Sequence, residues 1–105
     1  MRILAAFAVL SVLAAPAFAD EPLQLTLRDH KFIPETLDAP KGVKFKLVVK
    51  NEDKDNAEFE SSDLNREKVV PAGGEITVFL GPLDAGSYEF FDDFHHATKG
   101  TLVAK

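Results

Sequence analysis

The chain has 105 residues, 46 % of them hydrophobic and 28 % charged, and a formal net charge of −5. That composition describes one folded domain and excludes both a disordered tail and a multidomain enzyme. Six Gly and six Pro exclude collagen-like repetition, and the negative charge argues against a nucleic-acid ligand; the lack of Cys excludes disulfides, zinc fingers, iron–sulfur clusters and thiolate copper centres.

At the start of the chain, Arg2 precedes an apolar and small-residue run over 3–19 that closes on Ala17-Phe18-Ala19, just before Asp20. A single positive charge, an apolar centre and a small-x-small exit are the marks of a secretory signal peptide. The expected organisation is therefore a leader over 1–19 and one exported domain over 20–105, with no retained membrane anchor. A retained transmembrane helix is the alternative, for which the run is marginal in length. An exported domain this small and free of thiols must rest on a dense aromatic core, for which the chain has nine Phe. Met1 is the only methionine, so the processed chain offers a metal no sulfur ligand at all.

From Leu23 onward, hydrophobic residues recur with period two. Leu23, Leu25 and Leu27 alternate with Gln24, Thr26 and Arg28, and Val43, Phe45, Leu47 and Val49 alternate with Lys44, Lys46 and Lys50. Such alternation predicts half-buried strands with lysines on the solvent face. Further strands are expected over 57–60, 76–80, 88–91 and 101–104. Turn chemistry separates them, at Pro40-Lys41-Gly42, 51–56, Pro71-Ala72-Gly73-Gly74, Gly81-Pro82 and Asp84-Ala85-Gly86. Phe32-Ile33-Pro34 and Pro40 suggest a first strand that leaves its sheet and re-enters it. Segment 63–69 has the composition for a turn of helix. The whole reads as an all-β sandwich.

The densest group of potential metal ligands is Asp92, Asp93, His95 and His96, expected in a loop between the last two strands, with Phe94 anchoring that loop inward. Imidazole suits copper, iron, nickel and zinc, and carboxylates add hard oxygen donors. Taken alone, the group also reads as a solvated polar loop. Glu58 and Glu60 flank Phe59, so if Phe59 faces the core the two carboxylates share the opposite face or the rim. His30 reads as a surface turn residue, and Glu67, between Arg66 and Lys68, as part of an exposed ion-pair cluster. Catalytic alternatives fail on inventory, since there is no cysteine nucleophile, G-x-S-x-G, phosphate loop or H-E-x-x-H.

Phe32-x-Pro34, Asp38-Ala39-Pro40-Lys41-Gly42 and Leu47-Val48-Val49-Lys50-Asn51 resemble the opening half of small bacterial cupredoxin-like domains. Ala57-Glu58-Phe59-Glu60-Ser61, Glu67-Lys68-Val69-Val70-Pro71 and the run from Gly86 through Phe91-Asp92-Asp93-Phe94-His95 narrow the resemblance to the EfeO-type cupredoxin-like domain and its stand-alone relatives in ferrous-iron uptake systems. The resemblance implies a Greek-key β-sandwich of about seven to eight strands in the periplasm. It also implies metal ligands in the loop before the last strand and on a facing strand. Blue-copper relatives carry Cys, His and Met in that loop and another His on the earlier strand. Here Phe91, Asp92 and Asp93 occupy the Cys region, no Met follows His95, and Glu58 or its neighbour Ala57 stands where the earlier His is expected.

The site the resemblance implies is thus an N/O set drawn from His95, Asp92, Glu58, Asp93 and His96, with His30 and Glu67 as further additions. It would hold copper and/or iron. The function implied is binding of iron, or copper-assisted oxidation of ferrous iron, ahead of an inner-membrane iron permease and alongside a periplasmic iron-binding partner. Such a ferroxidase-like subunit stands against two alternatives, a delivery or storage protein without redox activity and a metal-free interaction domain.

Overall fold

The structure is a computed structural model that describes residues 19–105. Residues 1–18 of the expected leader lie outside the described residues, which contain no helix long and apolar enough to cross a membrane. Nine strands follow in order: β1 (Leu23–Arg28), β2 (Lys31–Ile33), β3 (Thr36–Ala39), β4 (Phe45–Asn51), β5 (Ala57–Ser61), β6 (Arg66–Val70), β7 (Glu75–Leu80), β8 (Gly86–Asp92) and β9 (His95–Ala104). They form two sheets, one ordered β2-β1-β4-β7 and the other β3-β9-β8-β5-β6. The all-β sandwich expected from the sequence is what the chain forms, with nine strands in place of seven to eight.

The alternating segments behave as their period requires. In β4 the inward Phe45, Leu47 and Val49 are fully buried, while Lys46 and Lys50 face water. Leu25 and Leu27 of β1 and Val78 and Leu80 of β7 join them from neighbouring strands, and Phe59, Phe90 and Leu102 oppose them from the second sheet. Phe90 is the hinge of this core, with the Phe32 ring edge-on at 5.0 Å and the Phe59 ring tilted at 5.4 Å. Aromatic burial of this density supports a small domain that has no disulfides.

Three segments depart from the sequence reading. After Ile33-Pro34 the chain does not re-enter its first sheet. It crosses to the second, where β3 runs parallel to β9, with Leu37 opposite Leu102. Segment 66–70 is an edge strand, not a turn of helix, paired antiparallel with β5 so that Glu67 faces Glu60. Its Arg66, Glu67 and Lys68 are all exposed, so no apolar period marks it. Arg66 and Lys68 donate to the carbonyl oxygens of Phe79 and Thr77 on β7, at 2.9 and 3.5 Å. The open side of the sandwich, where two sheet edges would expose unpaired carbonyls, is capped in this way.

The third departure concerns the ligand-rich segment. β9 begins at His95, so the expected loop reduces to the tight turn Asp93-Phe94 between β8 and β9. Phe94 does not anchor it, being 49 % exposed; the buried anchor is Asp92, at 1 %. A register irregularity between Phe91 and Asp92 marks where the hairpin tip tightens.

A candidate metal centre on the outer face of the second sheet

The Asp93-Phe94 turn is built by the Asp92 carboxylate. Its Oδ1 accepts the backbone amide of Phe94 at 3.0 Å, two residues on, and the amide of Glu58 on β5 at 2.9 Å. Asp93 N–H donates in turn to the Glu58 carbonyl at 3.0 Å. Short side chains that accept a hydrogen bond from an amide two residues later are common turn formers. Here the same oxygen also staples the hairpin to β5, and that staple sets Asp93 beside Glu58. Asp92→Ala would leave the buried amide of Glu58 without an acceptor, at about 1–3 kcal/mol, and the partly buried amide of Phe94 at less. Asp92→Asn keeps an oxygen at that place. A urea midpoint that falls strongly for alanine and little for asparagine is the expected outcome.

Strand parity sorts the remaining ligands. Phe59 points into the core, so Glu58 and Glu60 project from the outer face of the sheet. One ligand oxygen from each of Glu58, Glu60 and Asp93 lies within 4.8 Å of the others. Glu58 is only 9 % exposed, and its Oε1 is buried with no hydrogen-bond partner. Its carboxyl is pushed up to about 7. The largest cause is a proton shared with Glu67, which favours the neutral form; loss of water follows, then the negative charges of Glu67, Asp93 and Glu60. Glu60 is raised as well, by desolvation first and then by the charge of Asp93. His96 stands at the edge of the group, its Nε2 2.9 Å from Asp93 Oδ1 and its ring edge-on to Phe91. A depression of about 450 Å³ opens beside these groups, with Glu35, Glu89, Phe91 and Lys99 on its walls.

The five residues expected to share one site therefore divide between two places. Glu58 and Asp93 come together, with His96 bonded to Asp93. Asp92 and His95 lie apart from them: Asp92 points inward, and its Oδ2 is 3.9 Å from His95 Nδ1. His95 stacks on His30 at 4.1 Å between ring centroids. Glu60, absent from the set that the resemblance implies, is the third member of the carboxylate group. The signal for it is its i, i+2 relation to Glu58 across an inward Phe. Among the described residues Arg66 and Lys68 turn to β7 instead of pairing with Glu67, which faces Glu60 across the β5–β6 pair.

A two-sheet sandwich whose ligand-type side chains gather at one hairpin tip has the architecture of the cupredoxins. The chain belongs to the cupredoxin-like domain family, whose model matches residues 1–104. An uncharacterized protein of Rickettsia prowazekii (strain Madrid E) is 45 % identical over 76 residues, which are 72 % of this chain and 61 % of the relative, so the chain spans less than two thirds of that relative's length. Among solved structures, a purple cupredoxin from Nitrosopumilus maritimus superposes with a TM-score of 0.66 at 15 % identity, covering 79 % of this chain and 99 % of the other. Amicyanin from Paracoccus versutus gives 0.66 at 11 % identity, with 83 % and 84 % covered. A mutant of amicyanin in its Cu(I) form gives 0.68 at 12 %, with 83 % and 85 % covered. These structural likenesses show the fold.

A copper–thiolate centre does not fit this chain, which has no Cys. Asp92 already has one oxygen filled by two amides, and the inward residues on either side of Glu58 on β5, Ala57 and Phe59, have no donor side chain. Hard-cation binding on the outer face does fit. Three carboxylates converge there, and one buried oxygen has no partner.

Proposed function

We propose that this protein is an exported metal-binding cupredoxin-like subunit of a bacterial iron-uptake system. In this reading it takes iron as cargo at Glu58, Glu60 and Asp93 and passes it towards an inner-membrane permease. The observation that carries the reading is the buried, unpartnered Oε1 of Glu58 among converging carboxylates. Each such group carries a desolvation cost that a cation in their midst would reverse. Oxygen donors select hard ions over soft ones and hold Fe(III) more tightly than Fe(II), so binding there lowers the potential at which ferrous iron gives up its electron. His96, hydrogen-bonded to Asp93, orients that carboxylate as an outer partner.

Titration of the metal-free protein with iron tests the reading. Glu60→Gln is expected to weaken binding by about tenfold or more, because it removes a direct ligand where even outer partners are worth that much. Equal affinity in variant and parent would refute the site. Oxygen consumption with Fe(II) then separates the two forms of the function. An oxidising subunit consumes dioxygen as the electron acceptor, and a delivery or storage protein binds the ion without consuming any.

A further inference from the structure

We propose that the outer face of the first sheet docks on anionic phospholipid headgroups, with the Phe79 ring set among its cations as an apolar contact. The face shares no side chain with the carboxylate group, so it stands or falls independently of the iron reading.

Strand register assembles the face. Phe45, Leu47 and Val49 point into the core, so Lys46, Val48 and Lys50 point out. Lys46 stands opposite Phe79 of β7, and Lys50 lies between Thr26 of β1 and Glu75 of β7. Thr26 is in turn opposite Ile33, and Arg28 is opposite Lys31. Two further cations arrive from the other sheet. Arg66 donates to the Phe79 carbonyl at 2.9 Å and Lys68 to that of Thr77 at 3.5 Å, so both charged ends sit along the β7 edge. The Phe79 ring, 58 % exposed, thus has Lys46 Nζ 5.8 Å from its centre and Arg66 bound to its own backbone.

The acids that follow these lysines in sequence are turned elsewhere. Both oxygens of Asp53 accept the amides of Asp29 and His30 in the β1–β2 turn, and Asp55 faces the His30 ring. Glu52 pairs with Arg28 at 2.6 Å. Glu52 and Glu75 therefore stand against Arg28, Lys31, Lys46, Lys50, Arg66 and Lys68, which leaves this face positive in a chain of net charge −5. The outer face of the second sheet, with Glu58, Glu60 and Asp93, has the opposite sign. Packed sheets lie about 10 Å apart, and side chains project beyond both. Those carboxylates are thus more than a Debye length, about 8 Å at physiological salt, from a surface beneath the lysines. Screening lets the near face decide.

The composition of the face selects lipid over an acidic protein. Lysine is depleted in the dehydrated centre of protein interfaces, where aromatic residues and arginine gather. Four of the six cations here are lysines, and the exposed Ile33 and Phe79 lie apart, on β2 and β7 at opposite edges of the sheet. The acidic face of a second copy matches in charge as well, but this face lacks the apolar centre that such an interface needs. Hydrated ammonium groups around an aromatic ring suit a headgroup layer, where each Lys or Arg near the surface strengthens binding about fivefold. The carboxylate group stays open to solvent while this face is bound.

Cosedimentation of residues 19–105, which hold both sheets and the core cluster, with phospholipid vesicles tests this. Residues 1–18 are left out because their apolar run would partition into bilayers by itself. Binding is expected to equal parts of phosphatidylcholine and phosphatidylglycerol but not to phosphatidylcholine alone, and it should weaken as salt rises. The Lys46→Gln, Lys50→Gln double variant should bind roughly 25-fold more weakly. Lys105→Gln, which removes a charge beside Asp38 at the end of the second sheet, should bind as the parent does. No binding to the mixed vesicles, equal binding to both kinds, or unchanged affinity of the double variant would overturn the proposal. Self-association that the double variant abolishes, with no vesicle binding, would assign the face to a second copy and overturn it as well.

Discussion

Gly100→Ala should cost roughly 3 kcal/mol of folding stability, at the upper end of what one extra carbon in a packed core costs. A Cβ on Gly100 would lie 2.4 Å from two ring atoms of Phe90 and 2.9 Å from the Glu35 carbonyl. The ring cannot yield, being fully buried between Phe32 and Phe59, and the carbonyl is held by the Thr101 amide at 2.8 Å. A domain of this size shifts its melting temperature by about 4–8 °C per kcal/mol, so a fall of 10 °C or more is expected. Gly42→Ala is the comparison. Gly42 has a φ of +72° and nothing within 4 Å of its would-be Cβ, so only backbone strain of about 1–2 kcal/mol applies. Equal losses at the two positions would mean that Phe90 is not pinned as described.

Glu58→Gln should move stability and metal affinity in opposite directions. The folded carboxyl is pushed up to about 7 from an ordinary value of 4.5, so between those values the folded state holds a proton that the unfolded state has released. Stability therefore falls as pH rises from 4.5 to 7, and the penalty is fully present above 7 and absent below 4.5. Glutamine cannot ionise, so the variant should lose most of this decline and be the more stable protein at pH 8 in the presence of a chelator. Glu60, raised in the same direction, retains the remainder. The variant should also bind iron about tenfold or more weakly, having lost a ligand. Urea unfolding at pH 5 and pH 8, with and without iron, reads both effects. A variant less stable than its parent at pH 8 without metal would show Glu58 to be a structural residue.

Much of this frame is written in the chain. The Leu23-Leu25-Leu27 and Phe45-Leu47-Val49 alternations state which faces of β1 and β4 are buried, and the Pro-Gly turns state where they end. The edge strand β6 is not legible because both its faces are largely wet; its pairing with β5 holds it in place. The hairpin tip misleads for another reason. A large apolar residue among acids looks like the anchor, yet two amide hydrogen bonds make burial of the Asp92 carboxylate tolerable and leave Phe94 outside. Parity at Glu58-Phe59-Glu60 was readable, and the partition of Asp92 from Asp93 was not. It depends on which of two adjacent acids the turn draws inward. The stack of His30 on His95 brings together residues 65 positions apart in sequence, through a turn whose left-handed geometry is imposed by Asp53 and Thr98.

If the proposed site is used, carrying its ligands on the outer face of a β-sheet has a consequence for function. Side chains there can be exchanged without disturbing the aromatic core, because inward and outward residues alternate along each strand. The chain uses this freedom. Its interior carboxylate, Asp92, has one oxygen committed to two amides, while Glu58 and Glu60 project from the outer face, where the proposed function places the exchangeable ion.

The most direct measurement of that claim is anomalous scattering at the iron edge from crystals of the protein soaked with iron. A peak bounded by the carboxylates of Glu58, Glu60 and Asp93 is the predicted result. A well-ordered crystal with no peak there, or with iron only at other residues, would contradict the account.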